Sequence, residues 1–301
     1  GVRLTGSRAG VWADFASGEA GDALDLVAAV LYRGDRAAAV RWARRWLFGD
    51  GPAPLPVAAA PPYEAREADG AEEQRKRRIA VAIFAEARPW IAGSPVASYL
   101  EERGITLAEL GRQPAALRYH PACWCAEASA KLPAMVAAVL DAEGRHVATH
   151  RTWLERDESR PGRWRKAKLQ HPKKAIGSFA GGHVPLWQGA SGVPLARAPE
   201  GETVAIAEGI ETALSVALAC PELRVLAAVS SGNLPKVALP PAVRTVILCA
   251  DNDGDNAATA RAIERAVDRF TAEGREVRIA RSPVGKDFND ALTAALEASG
   301  P

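Results

Sequence analysis

Carboxylate side chains stand directly after two apolar segments in the last third of this 301-residue chain. Glu208 follows residues 204–207, and Asp251 and Asp253 follow residues 245–250. In open parallel sheets, ligands bind beyond the carboxyl ends of the strands. If the two segments are neighbouring strands, their carboxylates converge and repel each other unless a cation lies between them. Oxygen-only ligands favour Mg²⁺ or Mn²⁺ over zinc, and such ions assist phosphoryl transfer.

The pattern around these residues predicts the elements that must position them. After residue 203, short apolar segments alternate with helices, which predicts a parallel α/β sheet with helices on both faces. The predicted strands there are 204–207, 225–229, 245–250 and 277–280, and the predicted helices are 211–219 and 256–273. Before residue 200 the pattern is mixed α+β, with helices at 36–47, 71–90 and 95–103, a hairpin of strands 135–140 and 146–154, and mostly loop over 156–183.

Three motifs in order, Glu208-Gly209, Asp251-x-Asp253 and Gly-Lys-Asp-Phe-Asn-Asp at 285–290, resemble the Toprim domain. DnaG-type primases, topoisomerases and some nucleases share that domain. The resemblance implies a catalytic cluster that binds Mg²⁺ or Mn²⁺. It assigns Glu208 to acid/base work and metal binding, and Asp251 and Asp253 to catalytic metal binding. It also makes Asp287 a further metal ligand and gives Lys286 a role in binding phosphate.

One position departs from the primase pattern. Many primases have an acidic residue four positions after the motif glutamate, where this chain has Thr212. Glu211, one position earlier, either substitutes for that ligand or faces solvent.

Upstream segments extend the resemblance. Residues 96–105 resemble the helix that opens the primase catalytic core, and residues 12–27 resemble the end of the primase zinc-binding module. The predicted parts are a zinc-module remnant at 1–48, a Pro/Ala-rich linker at 49–70, a primase-core subdomain at 71–199 and a Toprim domain at 200–301. A structural zinc site takes four ligands. The nearest candidates are only three, His120, Cys123 and Cys125, so we expect no zinc. The chain begins with Gly1 rather than Met, so we expect a fragment of a longer protein.

A basic segment precedes the acidic end of the chain. The net charge is only +2, but residues 144–174 hold ten cationic and three acidic side chains, whereas 15 acidic and 10 basic side chains follow residue 199. Trp153 and Trp164 lie among the cations and could stack on bases. The basic segment therefore predicts a surface that binds nucleic acid or nucleotides, although a solvated loop is the alternative. Its candidate residues are Arg151, Arg163, Arg165, Lys166 and Lys168.

These observations favour a primase-like nucleotidyltransferase of the DNA-directed RNA polymerase type, which makes short primers on single-stranded DNA from nucleoside triphosphates. The alternatives are a Toprim nuclease or nickase, and a non-catalytic nucleic-acid-binding accessory factor of a mobile element. No P-loop motif is present, so any replicative helicase would act in trans. No apolar run approaches membrane-spanning length, and the first residues lack a signal core, so we expect a cytoplasmic protein without a membrane partner.

Overall fold

The computed structural model describes residue 2 and residues 10–13, 20–48, 64–252 and 257–299. The chain divides into two compact units, residues 1–67 and 68–301. The first unit holds strands β1 (Trp12–Ala13) and β2 (Ala20–Gly21) and helices α1 (Ala23–Leu31) and α2 (Arg36–Phe48). Asp22 begins α1, because its side chain accepts the backbone N–H groups of Leu24 and Asp25.

Helix α3 (Glu64–Glu86) begins inside the stretch 49–70, for which the sequence predicts a linker. Residues 49–63 of that stretch lie outside the described residues. From Glu64 onward the composition changes from Pro and Ala to charged residues that favour helices, and this explains the earlier start.

An antiparallel sheet follows helix α4 (Pro95–Glu101). Its strand order is β3-β4-β5-β6, and β7 also pairs with β5. The predicted hairpin is confirmed by the pairing of β4 with β5. Residues 156–183, predicted as mostly loop, instead contain two strands, because the long β5 offers its free edge to short charged segments with little apolar periodicity. The strands are β3 (Leu117–Cys125), β4 (Ala130–Leu140), β5 (His146–Arg156), β6 (Trp164–Lys166) and β7 (Lys173–Gly177).

The second sheet has the order β12-β11-β9-β10-β8. Its strands β9 to β12 are parallel, and the edge strand β8 runs antiparallel to β10. Helices lie on both faces, so the predicted α/β architecture after a mixed N-terminal part is confirmed. The strands are β8 (Val184–Gln188), β9 (Glu202–Ala207), β10 (Arg224–Ala227), β11 (Val243–Ala250) and β12 (Glu276–Arg281), and the helices are α5 (Ile210–Ala219), α6 (Ala257–Ala272) and α7 (Phe288–Ser299).

Alternate residues of the parallel strands separate two cores. Ala205 and Ala207 of β9 belong to the core that includes α5, whereas Val204 and Ile206 belong to the core that includes α6. The α5 core also contains side chains of β3, β4 and β5, so the two sheets of the second unit share one apolar interior. No described helix is long and apolar enough to cross a membrane.

Candidate active site

The structure brings Glu208 and Asp251 together at the carboxyl edge of the parallel sheet. Strands β9 and β11 are neighbours, with Ala207 opposite Cys249, so both carboxylates leave the sheet at the same level. Both side chains are half-buried, and they line one small recess together with Ser231. This edge is where open α/β sheets bind ligands.

Asn252 fastens the loop after β12 to this edge. Its backbone N–H donates to the carbonyl of Lys286 at 2.6 Å. Its side-chain Nδ2 donates to the carbonyls of Ser282 at 2.8 Å and Gly285 at 3.1 Å. The third motif is therefore held beside the end of β11, as the convergence of the motifs requires.

Asp287 caps helix α7 within this loop. Its Oδ1 accepts the backbone N–H groups of Asn289 at 2.8 Å and Asp290 at 3.1 Å. The turn before it needs Gly285, which has φ +67° and where a Cβ would approach Asp290 Cβ to 2.5 Å. Lys286 is exposed on this turn. The cap uses one oxygen of Asp287.

The metal site rests on a residue that the structure does not describe. Asp253 lies outside the described residues, and among those described no group of three or more His, Cys, Asp or Glu side chains is placed to hold a metal ion. Glu208, Asp251 and Asp287 carry the hard oxygen ligands that suit Mg²⁺ or Mn²⁺. The ligand set with Asp253 therefore stays a prediction.

Glu211 is buried rather than solvent-facing, and its carboxylate is already engaged. Tyr99 Oη donates to Oε1 at 2.5 Å, Lys173 Nζ donates to Oε2 at 3.0 Å, and Lys166 Nζ lies 3.3 Å from Oε1. Burial raises the pKa of Glu211, but the ammonium groups of Lys173 and Lys166 outweigh it and hold that pKa well below its usual value. Glu211 thus binds protein cations with both oxygens, which argues against a metal ligand at this position.

A surplus of positive charge surrounds Glu211. Lys166 and Lys173 both pair with its carboxylate, and a third cation, Arg103, lies over the ring of Tyr99, with Cζ 5.1 Å from the ring centroid. The pKa of Lys166 is lowered to about 8, chiefly by burial and also by the charges of Lys173 and Arg103, against the opposing effect of Glu211. A Cβ on Gly209 would be 3.7 Å from Glu211 Oε2, so this cationic cluster (Arg103, Lys166 and Lys173) adjoins the Glu208 turn.

The predicted basic surface is split between two faces of the antiparallel sheet. Lys166 pairs with Leu154 and points to the α5 core, whereas Arg165 pairs with Glu155 and points the other way. Arg165 binds Glu155 at 2.9 Å, and Arg151 lies on the α3 side with Cζ 4.9 Å from the Trp153 ring. The sequence pattern could not show this division because β6 was not predicted.

The remaining predicted residues lie apart from these two groups. Arg163 pairs with Glu102 at 3.0 Å, and Lys168 is exposed. Trp153 is only 2% exposed and packs under α3, so the prediction that it stacks on bases is wrong. Trp164 is half-buried and packs against the α5 core.

Sequence reasoning missed three contributors to the site. Tyr99 and Arg103 lie in residues 96–105, for which the sequence indicates only a resemblance to primases. Lys173 is one of the ten cationic residues of the basic segment 144–174, with nothing in the sequence to single it out. The spacing of Tyr99 and Arg103, four residues apart, was the one available signal for a shared direction.

Comparisons with known proteins agree with this geometry. A family model described as a Toprim domain matches residues 203–298, and one described as a domain of unknown function (DUF7146) matches residues 74–186. The comparison with curated proteins found no match.

Three solved structures of primases are similar to this chain. The primase fragment of the bacteriophage T7 primase-helicase is 18% identical, with 67% of this chain and 70% of that chain covered and a TM-score of 0.43. A DNA primase domain from Pseudomonas aeruginosa is 14% identical, with coverage of 74% and 76% and a TM-score of 0.45. The E. coli primase catalytic core is 14% identical, with coverage of 74% and 75% and a TM-score of 0.43. The parallel sheet and its acidic carboxyl edge lie within the matched segment, and residues 203–298 of this chain are therefore a Toprim domain.

Proposed function

We propose that this chain is a divalent-metal-dependent nucleotidyltransferase that synthesises short primers on single-stranded DNA. The observation that carries the proposal is that an acidic group and a cationic group of side chains lie next to each other. Glu208 and Asp251 form an acidic edge, and the cationic cluster adjoins the turn that carries Glu208. A reaction on nucleoside triphosphates needs both, because carboxylates hold the cation and cationic side chains hold the phosphates.

Each carboxylate of the acidic edge has a role in the proposed reaction. Glu208, Asp251, Asp253 and the second oxygen of Asp287 would hold Mg²⁺ or Mn²⁺. When bound, the ion neutralises charge on the triphosphate as the phosphoryl group transfers. The primer 3′-hydroxyl attacks the α-phosphate, a new P–O bond forms, and the bond to the pyrophosphate leaving group breaks. Glu208 accepts the hydroxyl proton in this scheme.

The cationic cluster holds the phosphates. Lys166 and Lys173 each give one hydrogen bond or ion pair to Glu211, and an ammonium group has three N–H donors. Donors therefore remain for phosphate oxygens. Lys286 on the adjoining loop would contribute a further charge. We also propose that the template is single-stranded, that a replicative helicase acts in trans and that the protein is cytoplasmic.

A primer-synthesis assay tests the proposal. The chain is incubated with single-stranded DNA, labelled nucleoside triphosphates and either Mg²⁺ or Mn²⁺. Labelled primers that disappear with EDTA are the expected result. Cleaved template without primers would support a Toprim nuclease instead, and binding without either product would support a non-catalytic accessory factor.

Matched variants separate the site from the fold. Asp251→Asn and the double variant Asp251→Asn/Asp253→Asn should each lower primer synthesis by at least a hundredfold, because a neutral amide is a poor ligand for a hard cation. Asp268→Asn, which removes an exposed carboxylate of α6, should leave the rate within twofold of the unaltered chain. Full metal-dependent synthesis in the double variant would refute the metal assignment.

A further inference from the structure

A second cavity lies beside β8, the edge strand at the opposite margin of the parallel sheet from β12. Its volume is about 380 Å³. Its walls come from β8, from the turn between β4 and β5, and from residues 194–196. It shares no lining residue with the recess of Glu208 and Asp251, so it is separate from the Toprim site.

Two deeply buried polar side chains line this cavity with an unmet hydrogen-bonding atom each. His183 is 2% exposed and Arg224 is 1% exposed. Within the described part of the chain, His183 Nδ1 and Arg224 Nε have no hydrogen-bond partner. The other Arg224 nitrogens are engaged, with Val193 O and Ser191 Oγ each at 2.8 Å. Each of these two nitrogens has less than 1 Å² of accessible surface, so a group in the cavity meets it only after a small movement of the side chain. A buried polar atom without a partner costs roughly 1–3 kcal/mol, which favours that movement when a polar group is bound.

The rest of the wall is mostly apolar. Leu186, Leu195 and Ala138 are buried and line the cavity, and Trp187 adds an aromatic ring. Burial lowers the pKa of His183 to about 4, so its imidazole is neutral at pH 7. A wall of this kind suits a flat ring with a few polar atoms, because such a ring covers apolar surface and still meets the buried nitrogens.

One cation stands at the mouth of the cavity. The Arg112 guanidinium lies over the Trp187 ring, with Cζ 4.7 Å from the centroid, and the Arg112 side chain is exposed. No carboxylate of the described residues lies within ion-pair distance of Arg112. The mouth therefore offers a positive charge to an anionic group, while the Asp141 carboxylate, which also lines the cavity, is paired with Arg145 at 2.7 Å.

We propose that this cavity binds a small planar heterocycle carrying an anionic group, the chemistry of a nucleoside monophosphate. The ring would lie against Leu186 and Leu195. After a small movement of the two side chains, an acceptor atom of the ring would take the N–H of Arg224 Nε, and a polar edge atom would meet His183 Nδ1. The phosphate would pair with Arg112. An aromatic carboxylate has the same chemistry and could also supply this ligand. The inference goes beyond primer synthesis, since it concerns a site that the proposed reaction does not use.

Calorimetric titration of the whole chain in EDTA tests the proposal. The probes are AMP, GMP and indole-3-acetate, which separate a nucleotide from an aromatic carboxylate. Binding of at least one probe is expected, and Arg112→Ala should weaken it at least tenfold. Ala196→Trp should abolish it, because Ala196 is an exposed residue of the rim and a large ring there blocks the entrance without disturbing the core.

Two control variants locate the bound probe. Arg78→Ala removes an exposed arginine of α3 outside the cavity, and Asp251→Asn alters the Toprim site; both should leave the affinity unchanged. The proposal is overturned if none of the three probes binds, if binding survives Arg112→Ala and Ala196→Trp, or if it is lost with Asp251→Asn. Primer synthesis is not measured here, so failure of the proposed function would leave this result standing.

Discussion

At the scale of single residues, the buried carboxylate of Glu211 connects parts of the chain that are far apart in sequence. It receives Tyr99 from α4, Lys166 from β6 and Lys173 from β7 while it sits in the first turn of α5. A buried charge is tolerated only when it is paired and hydrogen-bonded, and here three partners meet that requirement. The contact therefore fixes the positions of Lys166 and Lys173 relative to Glu208.

Removing this carboxylate should destabilise the fold. Glu211→Gln leaves Lys166 and Lys173 without their buried partner, and breaking such a pair costs roughly 3–5 kcal/mol. Denaturant unfolding at pH 7 measures the change. Glu264→Gln, on the exposed face of α6, is the control and should change the free energy of unfolding by less than about 0.5 kcal/mol.

The same carboxylate predicts a pH dependence. Its folded-state pKa is lowered below the ordinary value of 4.5, so its contribution to stability is complete above pH 4.5 and is lost as the pH falls further. The difference in unfolding free energy between the unaltered chain and Glu211→Gln should shrink by about 1.4 kcal/mol between pH 7 and pH 3.5. An equal difference at the two pH values would contradict this assignment.

At the scale of elements, the strand period decides which cations can act together. Lys166 and Arg165 are adjacent in sequence, but β6 directs them to opposite faces of the antiparallel sheet. Only Lys166 faces the Toprim domain. A count of basic residues treats the two alike, whereas the sheet separates them.

This separation predicts different effects on nucleic-acid binding. Lys166→Met should weaken binding of single-stranded DNA and reduce the slope of log affinity against log salt by about 0.7, because one phosphate contact is lost. Arg165→Met, the matched variant on the opposite face, should leave the slope unchanged. Salt titrations monitored by fluorescence anisotropy measure both. Equal slopes for both variants would show that Lys166 does not make the phosphate contact.

Asn252 holds the loop of residues 282–287 beside the end of β11. Its side chain holds the carbonyls of Ser282 and Gly285, so Asn252→Ala should loosen residues 282–287, which still keep the backbone bond from residue 252 to the Lys286 carbonyl. We expect faster hydrogen exchange in that segment, unchanged exchange in β9, and at least a tenfold loss of primer synthesis, since Asp287 and Lys286 would be held less firmly. Unchanged exchange in the loop would show that Asn252 does not fasten it.

At the scale of the whole molecule, the two sheets of the second unit depend on one interior. Leu154 and Met135 of the antiparallel sheet belong to the same buried cluster as Ala205 and Leu214 of the Toprim part. The faces that the two sheets contribute to this cluster are buried together. Residues 68–301 should therefore unfold as one cooperative unit.

A core substitution tests this cooperativity. Leu154→Ala should cost roughly 2–5 kcal/mol, because Leu154 is fully buried, and circular dichroism and tryptophan fluorescence should report one shared transition. Val284→Ala, at a position that is 52% exposed, should change the free energy by less than about 0.5 kcal/mol. Two separate transitions after Leu154→Ala would show that the sheets fold independently.

The Toprim sheet and the order of its motifs could be predicted from the amino-acid sequence. Strands buried on both faces appear as continuous apolar runs, so β9 and β11 were predictable, and the acidic residues that follow them lie where parallel strands end. The short strands β6 and β7 were not predictable, because charged residues without apolar periodicity form strands only when β5 offers an edge. Tertiary structure alone decided that Glu211 is buried, that Trp153 is core and that Lys166 joins Arg103 and Lys173. These outcomes depend on which face each strand turns toward a neighbouring element, and that choice is made by packing between segments distant in sequence.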